Sequence, residues 1–194
     1  MPNATSSPAI AIHPLSADRL PEFLELFEGR AFSDNPKWSF CYCQCFFEDH
    51  SRIVWRDRTA GENKARACER IASGEMQGYL ASVDGQPVGW CCAGPRRLFH
   101  ALDDEPVANA AMIGQIMCFL VAPEYRRQGI ARALLDAACS GLRAQGLPMA
   151  EANPRPAAGT AAENHFGPLS LYLSAGFRID RTDADGSVHV RKDL

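Results

Sequence analysis

The chain has 194 residues, 46% of them apolar, and a formal net charge of −3. This length and apolar content allow one sizeable hydrophobic core, so we expect a single domain over residues 9–194 behind a loose tail at residues 1–8. With only three lysines and a weakly acidic balance, the chain has no broad basic field, which argues against nucleic acid as a partner.

The cysteine content and the hydropathy of the chain predict the cellular compartment of the protein. Eight cysteines indicate a disulfide framework only in a short exported chain, and residues 1–8 contain neither the basic nor the apolar part of an export signal. No run approaches the ~18 continuous apolar residues of a membrane span. We therefore expect a cytoplasmic protein with reduced thiols and no membrane partner.

Apolar periodicity and turn residues divide the chain into short strands and helices. Apolar residues spaced by three and four predict helices, short apolar runs predict strands, and Asp84-Gly85 predicts a tight hairpin turn. The predicted elements are, in chain order, strand 9–13, helix 20–27, helix 59–73, strands 77–83 and 87–93, strand 113–121, helix 126–145, strand 147–152, helix 168–175, and strands 177–181 and 187–191. Residues 31–57 have no clean period and stay unassigned. This order predicts an α/β fold with a mixed sheet and helices on both faces.

The turn between strand 113–121 and the longest helix is a candidate anion site. The first turn of a helix leaves backbone N–H groups unpaired, and these groups bind anions together with the helix dipole. Gly129 permits a close approach of a phosphate, and Arg126 and Arg127 can add charge. The spacings of nucleotide triphosphate and dinucleotide motifs are absent from the sequence. From these residues alone, an ordinary strand-to-helix connection with solvent-facing arginines fits equally well.

Two motifs resemble those of the GNAT superfamily of acetyltransferases. Residues 121–131, Val-Ala-Pro-Glu-Tyr-Arg-Arg-Gln-Gly-Ile-Ala, resemble its coenzyme A signature [QR]-x-x-G-x-[GA], and residues 171–177, Leu-Tyr-Leu-Ser-Ala-Gly-Phe, resemble its Tyr-x-x-x-Gly-Phe helix end. The resemblance implies a GNAT-like fold with a central twisted sheet of about six to seven strands. It also implies transfer of an acetyl group from acetyl-CoA to a primary amine of a small molecule or peptide.

The resemblance also implies roles for individual residues. The backbone of Phe119, Leu120 and Val121 would pair with the pantetheine arm of the cofactor. The residues implied to hold its pyrophosphate are Arg126, Arg127, Gln128, Gly129, Ile130 and Ala131. Tyr172 matches the family's acid for the departing thiolate, although it also fits a core aromatic. Asn164 matches a cofactor contact but lies one residue farther from Tyr172 than in the usual pattern.

The general base is less well defined. Strand 113–121 offers neither a carboxylate nor an imidazole, and a water chain is one substitute. We take Glu151 on the following strand as the predicted catalytic base and His165 as a second candidate. A solvated charge and a loop imidazole are the competing interpretations of these two residues.

Three alternate cysteines, Cys41, Cys43 and Cys45, form a second constellation. Their spacing differs from that of structural zinc sites, so we expect no metal and interpret them as buried, inert thiols. Two other functions stay open, a catalytically inactive acyl-CoA sensor and a thiol- or metal-binding protein. The identity of the amine acceptor and the existence of a homodimer are not determined by the sequence.

Overall fold

The computed structural model describes residues 9–103, 105, 107–155, 160 and 164–194, so the predicted tail at residues 1–8 lies outside the described part of the chain. The described strands form one seven-stranded sheet in the order β1-β2-β3-β4-β5-β7-β6. The strands are β1 (Ile10–Pro14), β2 (Gly78–Val83), β3 (Gln86–Pro95), β4 (Ile113–Val121), β5 (Met149–Ala152), β6 (Arg178–Thr182) and β7 (Val188–Asp193). The β4–β5 pair is parallel and the other pairs are antiparallel. This confirms the predicted mixed sheet.

Helices cover both faces of the sheet. In the described ranges the α-helices are α1 (Leu20–Glu28), α2 (Ala60–Ser73), α3 (Ile130–Ala144) and α4 (Leu169–Ser174). Because side chains alternate along a strand, Cys91 on β3 joins the core under α3 and α4, whereas its neighbour Trp90 joins the core under α1 and α2. None of the described helices is long and apolar enough to cross a membrane.

The unassigned segment 31–57 contains a series of short 3-10 turns, at Pro36–Cys41, Gln44–Phe47 and Trp55–Asp57 among others. Buried polar contacts attach this segment to α2. The Arg70 guanidinium donates to the Glu48 carboxylate at 2.8 Å and to the Gln44 side chain at 2.7 Å. These contacts explain the lack of a clean period, because the segment is positioned by α2 and not by an apolar stripe of its own.

The start of α3 differs from the prediction. The sequence predicts a helix from residue 126, whereas α3 begins at Ile130. Arg127 and Gly129 adopt φ angles of 62° and 85°, in the left-handed region that a right-handed helix excludes. The signature residues therefore form a turn ahead of the helix.

Strands β4 and β5 separate part of the way along β4. Their parallel pairing runs from Ile113 to Ile116 on β4, and the register against β3 skips Met117, which marks a β-bulge. Beyond this point β4 continues to Val121 without β5 beside it. The Phe119 N–H instead donates to the carbonyl of His165 at 2.5 Å. The separation opens a cleft beside the second half of β4.

Candidate active site

A cavity of about 690 Å³ occupies this cleft. Most of its wall comes from four parts of the chain: the end of β4, the turn into α3, the segment from Phe27 to Trp55, and residues 164–168, and Arg155 and Leu171 complete the described wall. One end of the cavity lies at the signature turn and the other lies among aromatic side chains. The two ends differ in charge and in chemistry.

The turn into α3 has the geometry of an anion site. Gly129 is the N-cap residue and has no side chain to cap the helix, and among the described residues no side chain accepts a hydrogen bond from the first N–H groups of α3. A Cβ added to Gly129 would meet no atom within 4 Å, which leaves space for a ligand against the backbone. Gly129, Ile130 and Ala131 all line the cavity.

Arg126 joins this turn to the segment before α2. Its Nε donates to the Val121 carbonyl at 3.0 Å, and its guanidinium pairs with both carboxylate oxygens of Asp34, at 2.5 and 3.1 Å. Hydrogen bonding to Arg126 lowers the pKa of Asp34. The charge of Arg126 is therefore already matched by a carboxylate, whereas exposed Arg127 on the cavity wall has no ion pair within the described residues.

A sequence model of the acetyltransferase (GNAT) family matches residues 38–166, about two thirds of the chain. The chain belongs to the GNAT acetyltransferase family. No curated protein matches the sequence at a significant level.

Solved structures share the GNAT fold at low identity. PaiA N-acetyltransferase from Thermoplasma acidophilum, in complex with coenzyme A, has 17% identity and a TM-score of 0.56 over 96% of this chain and 99% of its own. Ribosomal-protein-alanine N-acetyltransferase from Brucella melitensis has 19% identity and a TM-score of 0.56, over 95% and 99%. The yncA protein from Salmonella typhimurium, with its cofactor acetyl-CoA, has 15% identity and a TM-score of 0.54, over 96% and 94%. These likenesses confirm the predicted fold.

The other predicted cofactor-binding residues differ in whether they line the cavity. Phe119, Leu120, Val121 and Asn164 line the cavity. Gln128 is exposed, and its side chain donates to the Glu124 carbonyl at 2.9 Å, away from the cavity wall. Their roles in cofactor binding stay predictions.

Tyr172, the predicted acid, lies one layer behind the cavity wall. It is fully buried, with its ring 6.3 Å from that of Phe119 and in contact distance of Gly167, and both of these residues line the cavity. Its hydroxyl donates to the Phe166 carbonyl at 2.7 Å. Burial raises the pKa of Tyr172 well above its usual range, so the phenol stays protonated at neutral pH.

Glu151 does not occupy the position expected of a base. It is fully buried in the sheet, where Arg96 donates to one carboxylate oxygen at 3.0 Å and Arg191 donates to the other at 2.8 Å. It does not line the cavity. The prediction that Glu151 accepts a proton from the substrate has no support in this geometry, because both oxygens already bind guanidinium groups.

His165, the second candidate base, does line the cavity. Its ring lies 4.9 Å from that of Trp38, edge-on, and 4.2 Å from that of Phe166. Its carbonyl accepts from the Phe119 N–H, so the residue connects β4 to the aromatic side chains of the cavity. The spacing of residues along the sequence does not reveal which of Glu151 and His165 faces a cleft.

The thiols that the sequence marked also reach this cavity. Cys41, Cys43, Cys45 and Cys118 all contribute to its wall, and all cysteines are free thiols. Within the described residues, no group of three or more His, Cys, Asp or Glu side chains is arranged to hold a metal ion.

Proposed function

We propose that this GNAT protein transfers an acetyl group from acetyl-CoA to a primary amine. The observation that carries the proposal is the uncapped turn at Gly129, which opens into a cavity that also contains the edge of β4. Fold neighbours that carry coenzyme A or acetyl-CoA support the choice of cofactor. Family membership supports the choice of reaction.

The residues of the turn fit the phosphates of coenzyme A. Helix N–H groups and the positive end of the α3 dipole favour an anion there, and the open space at Gly129 admits one close to the backbone. Arg127 adds an exposed positive charge on the same wall. The acetyl-CoA thioester would supply the activated acyl group, and the residues of this chain would position it and manage the protons.

We assign the general base to His165. An amine attacks only when it is uncharged, and an imidazole is the side chain most often used to take up its proton. His165 is the candidate on the cavity wall, between the cofactor strand and the aromatic side chains. Tyr172 is retained as the acid that protonates the thiolate, and its hydroxyl would exchange the Phe166 carbonyl for the sulfur.

Carbonyl groups of the segment 164–166 therefore accept hydrogen bonds from two groups that the proposed reaction requires. His165 O accepts from Phe119 N–H, and Phe166 O accepts from the Tyr172 hydroxyl. Cofactor binding at β4 would release both groups by a shift of this short segment.

The deciding experiment compares two glycine substitutions by calorimetric titration with coenzyme A. Gly129→Glu places a carboxylate at the turn, and we expect an affinity loss of about 100-fold, which corresponds to about 2.7 kcal/mol. Gly186→Glu is the matched control, because Gly186 has φ 86° against 85° for Gly129 and equally open space around it, but lies in the β6–β7 turn. The assignment fails if the wild-type protein gives no heat with coenzyme A or acetyl-CoA.

Thiol release from acetyl-CoA with a panel of amines then tests transfer itself. Turnover with at least one amine is expected. Tight coenzyme binding without thiol release for any amine would favour the alternative, an inactive acyl-CoA sensor.

A further inference from the structure

The cavity end remote from Gly129 is built from aromatic rings. We define the aromatic end as Trp38, Phe40, Phe46, Trp55 and Phe166, which all line the cavity. Phe40 and Trp55 lie 5.6 Å apart, and Phe46 and Phe166 lie 5.8 Å apart. All five rings are half-buried, unlike the fully buried Phe23 and Phe47 of the neighbouring core. Because all five line the cavity, part of this remaining surface is available to a ligand.

Polar anchors hold these rings in place. The Asn63 amide on α2 donates to the Phe40 carbonyl at 2.9 Å, and Arg70 binds Glu48, which is only 6% exposed. Tyr42 and Cys43, which lie between Phe40 and Glu48 in the chain, adopt φ angles of 43° and 58°. This left-handed backbone conformation is strained and persists only where the surrounding structure enforces it. The part of the aromatic end that residues 38–55 contribute is therefore preorganised in the absence of a ligand, which lowers the entropic cost of binding one.

Charge is distributed unevenly along the cavity. Among the described residues of its wall, the arginines lie at the signature turn, on α3 and at Arg155, and the one carboxylate is Asp34. Asp34 already pairs with Arg126. At the aromatic end, a second ammonium group, as in a polyamine or a lysine side chain, would exchange its hydration for ring faces alone, because the described wall residues offer no unpaired carboxylate there. The non-reacting part of the acceptor should therefore be uncharged.

We propose that the acceptor is an arylalkylamine, whose ring stacks within the aromatic end while its amino group lies at His165. This inference rests on the proposed function and names the substrate class of the same cavity. The His165 ring contacts Trp38 at the boundary of the aromatic end, so a ring bound there leaves its amine beside the imidazole. Ring–ring contacts and apolar burial supply the binding free energy, and they favour offset or edge-on aromatic partners.

The test compares 2-phenylethylamine with 1,5-diaminopentane as acceptors, with acetyl-CoA as the donor, in the wild-type protein and two variants. Trp55→Ala removes one ring of the aromatic end, and we expect it to lower kcat/KM for 2-phenylethylamine at least tenfold and that for the diamine less than twofold. Val54→Ala is the matched control, because Val54 is 52% exposed and is not part of the cavity wall. The ratio between variants cancels the different basicities of the two amines.

Two further measurements keep the result decisive. Calorimetry with coenzyme A checks that the cofactor affinity of Trp55→Ala is unchanged, and Phe40→Leu serves as a milder variant if Trp55→Ala is poorly folded. Calorimetric titration of the coenzyme-loaded protein with 2-phenylethylamine measures the aromatic end without turnover. Binding of 2-phenylethylamine that Trp55→Ala weakens supports the proposal even if no acetyl transfer occurs, which would count only against the proposed function.

Three outcomes overturn the proposal. If the diamine is the better acceptor, or if Trp55→Ala lowers kcat/KM equally for both acceptors, the aromatic end does not select the acceptor. If octanoyl-CoA is preferred over acetyl-CoA and Trp55→Ala removes that preference, the aromatic end holds an acyl chain instead. Acyl transfer to an amine would stand in all three cases.

Discussion

The Tyr172 hydroxyl has an observed structural role and a proposed chemical one. It lies behind Phe119 and donates a hydrogen bond to the Phe166 carbonyl within the segment that we expect to shift. A buried phenol of raised pKa is a weak acid, so proton transfer to a thiolate is efficient only where the sulfur is held beside it. The proposed acid role of Tyr172 therefore depends on surrounding residues that bring the sulfur beside its hydroxyl.

Replacement of Tyr172 by Phe tests both roles. We expect kcat to fall on the order of 100-fold, because the thiolate loses its acid, and the free energy of unfolding to fall by about 1 kcal/mol with the lost hydrogen bond. Thiol-release kinetics and urea unfolding measure the two effects. Tyr79→Phe is the control, since it removes the same atom from a tyrosine that does not line the cavity. A Tyr172→Phe enzyme with kcat within twofold of wild type would exclude the acid role.

Glu151→Gln separates a structural carboxylate from a base. The substitution removes the buried carboxylate partner of Arg96, whose side chain is 4% exposed, and leaves it only the half-exposed Glu105 at 3.4 Å, so the free energy of unfolding should fall by about 3–5 kcal/mol. The folded protein should retain kcat, measured well below the thermal midpoint. A hundredfold lower kcat at an unchanged midpoint would instead restore the sequence-based assignment of Glu151 as the base.

At the scale of elements, close packing of α3 on the sheet depends on glycine. A Cβ on Gly141 would lie 1.5 Å from the Tyr79 hydroxyl of β2, and one on Gly114 of β4 would lie 2.6 Å from Leu142. These short approaches position α3, and therefore its N-terminal turn, against the end of β4. The anion site depends on this packing as well as on its own torsions.

Two helical glycines make a matched pair for this effect. Gly141→Ala should lower the free energy of unfolding by roughly 1–3 kcal/mol, because Tyr79 must move out of its place. Gly61→Ala on α2, where a Cβ meets no atom within 4 Å, should raise it by roughly 0.5–1 kcal/mol through the lower backbone entropy of the unfolded chain. Urea unfolding measures both variants, and a change of the same sign in the two would contradict the packing interpretation.

At the scale of the whole molecule, ion pairs connect separate elements, namely the segment 31–57 to the turn before α3, and α1 to α2. Asp34 pairs with Arg126, and Glu28 pairs with Lys64 at 2.6 Å. Hydrogen bonds to these cations lower the pKa of both carboxyl groups in the folded protein. Because the folded pKa lies below the unfolded one, the stabilisation is complete above the unfolded pKa and is lost as pH falls through the folded pKa.

The thermal midpoint should therefore be constant from pH 7 to about pH 5 and fall as pH decreases below about 4, near the unfolded pKa of Asp and Glu. Asp34→Asn should reduce this acid dependence, because one of the linked carboxyl groups is absent. Glu69→Gln, at a carboxylate that pairs only within α2, is the control. An identical acid dependence in wild type and Asp34→Asn would show that the Asp34–Arg126 pair does not contribute.

The amino-acid sequence by itself determined the local features. The apolar runs predict the strands, and the residues around Gly129 predict a turn into a helix that can bind an anion, because backbone torsions and capping depend on a few neighbouring residues. The predicted start of α3 is too early, because the local sequence does not indicate the positive φ of Arg127.

Only the tertiary structure decided which side chains share the cavity. Trp38 and His165 lie 127 positions apart in the chain and meet across the cleft that opens where β4 separates from β5. In the same way, Glu151 proved to be bound by Arg96 and Arg191, which come from distant elements. Contacts of this kind depend on how helices and strands pack. The residue pattern of a single element does not specify which other element will pack against it.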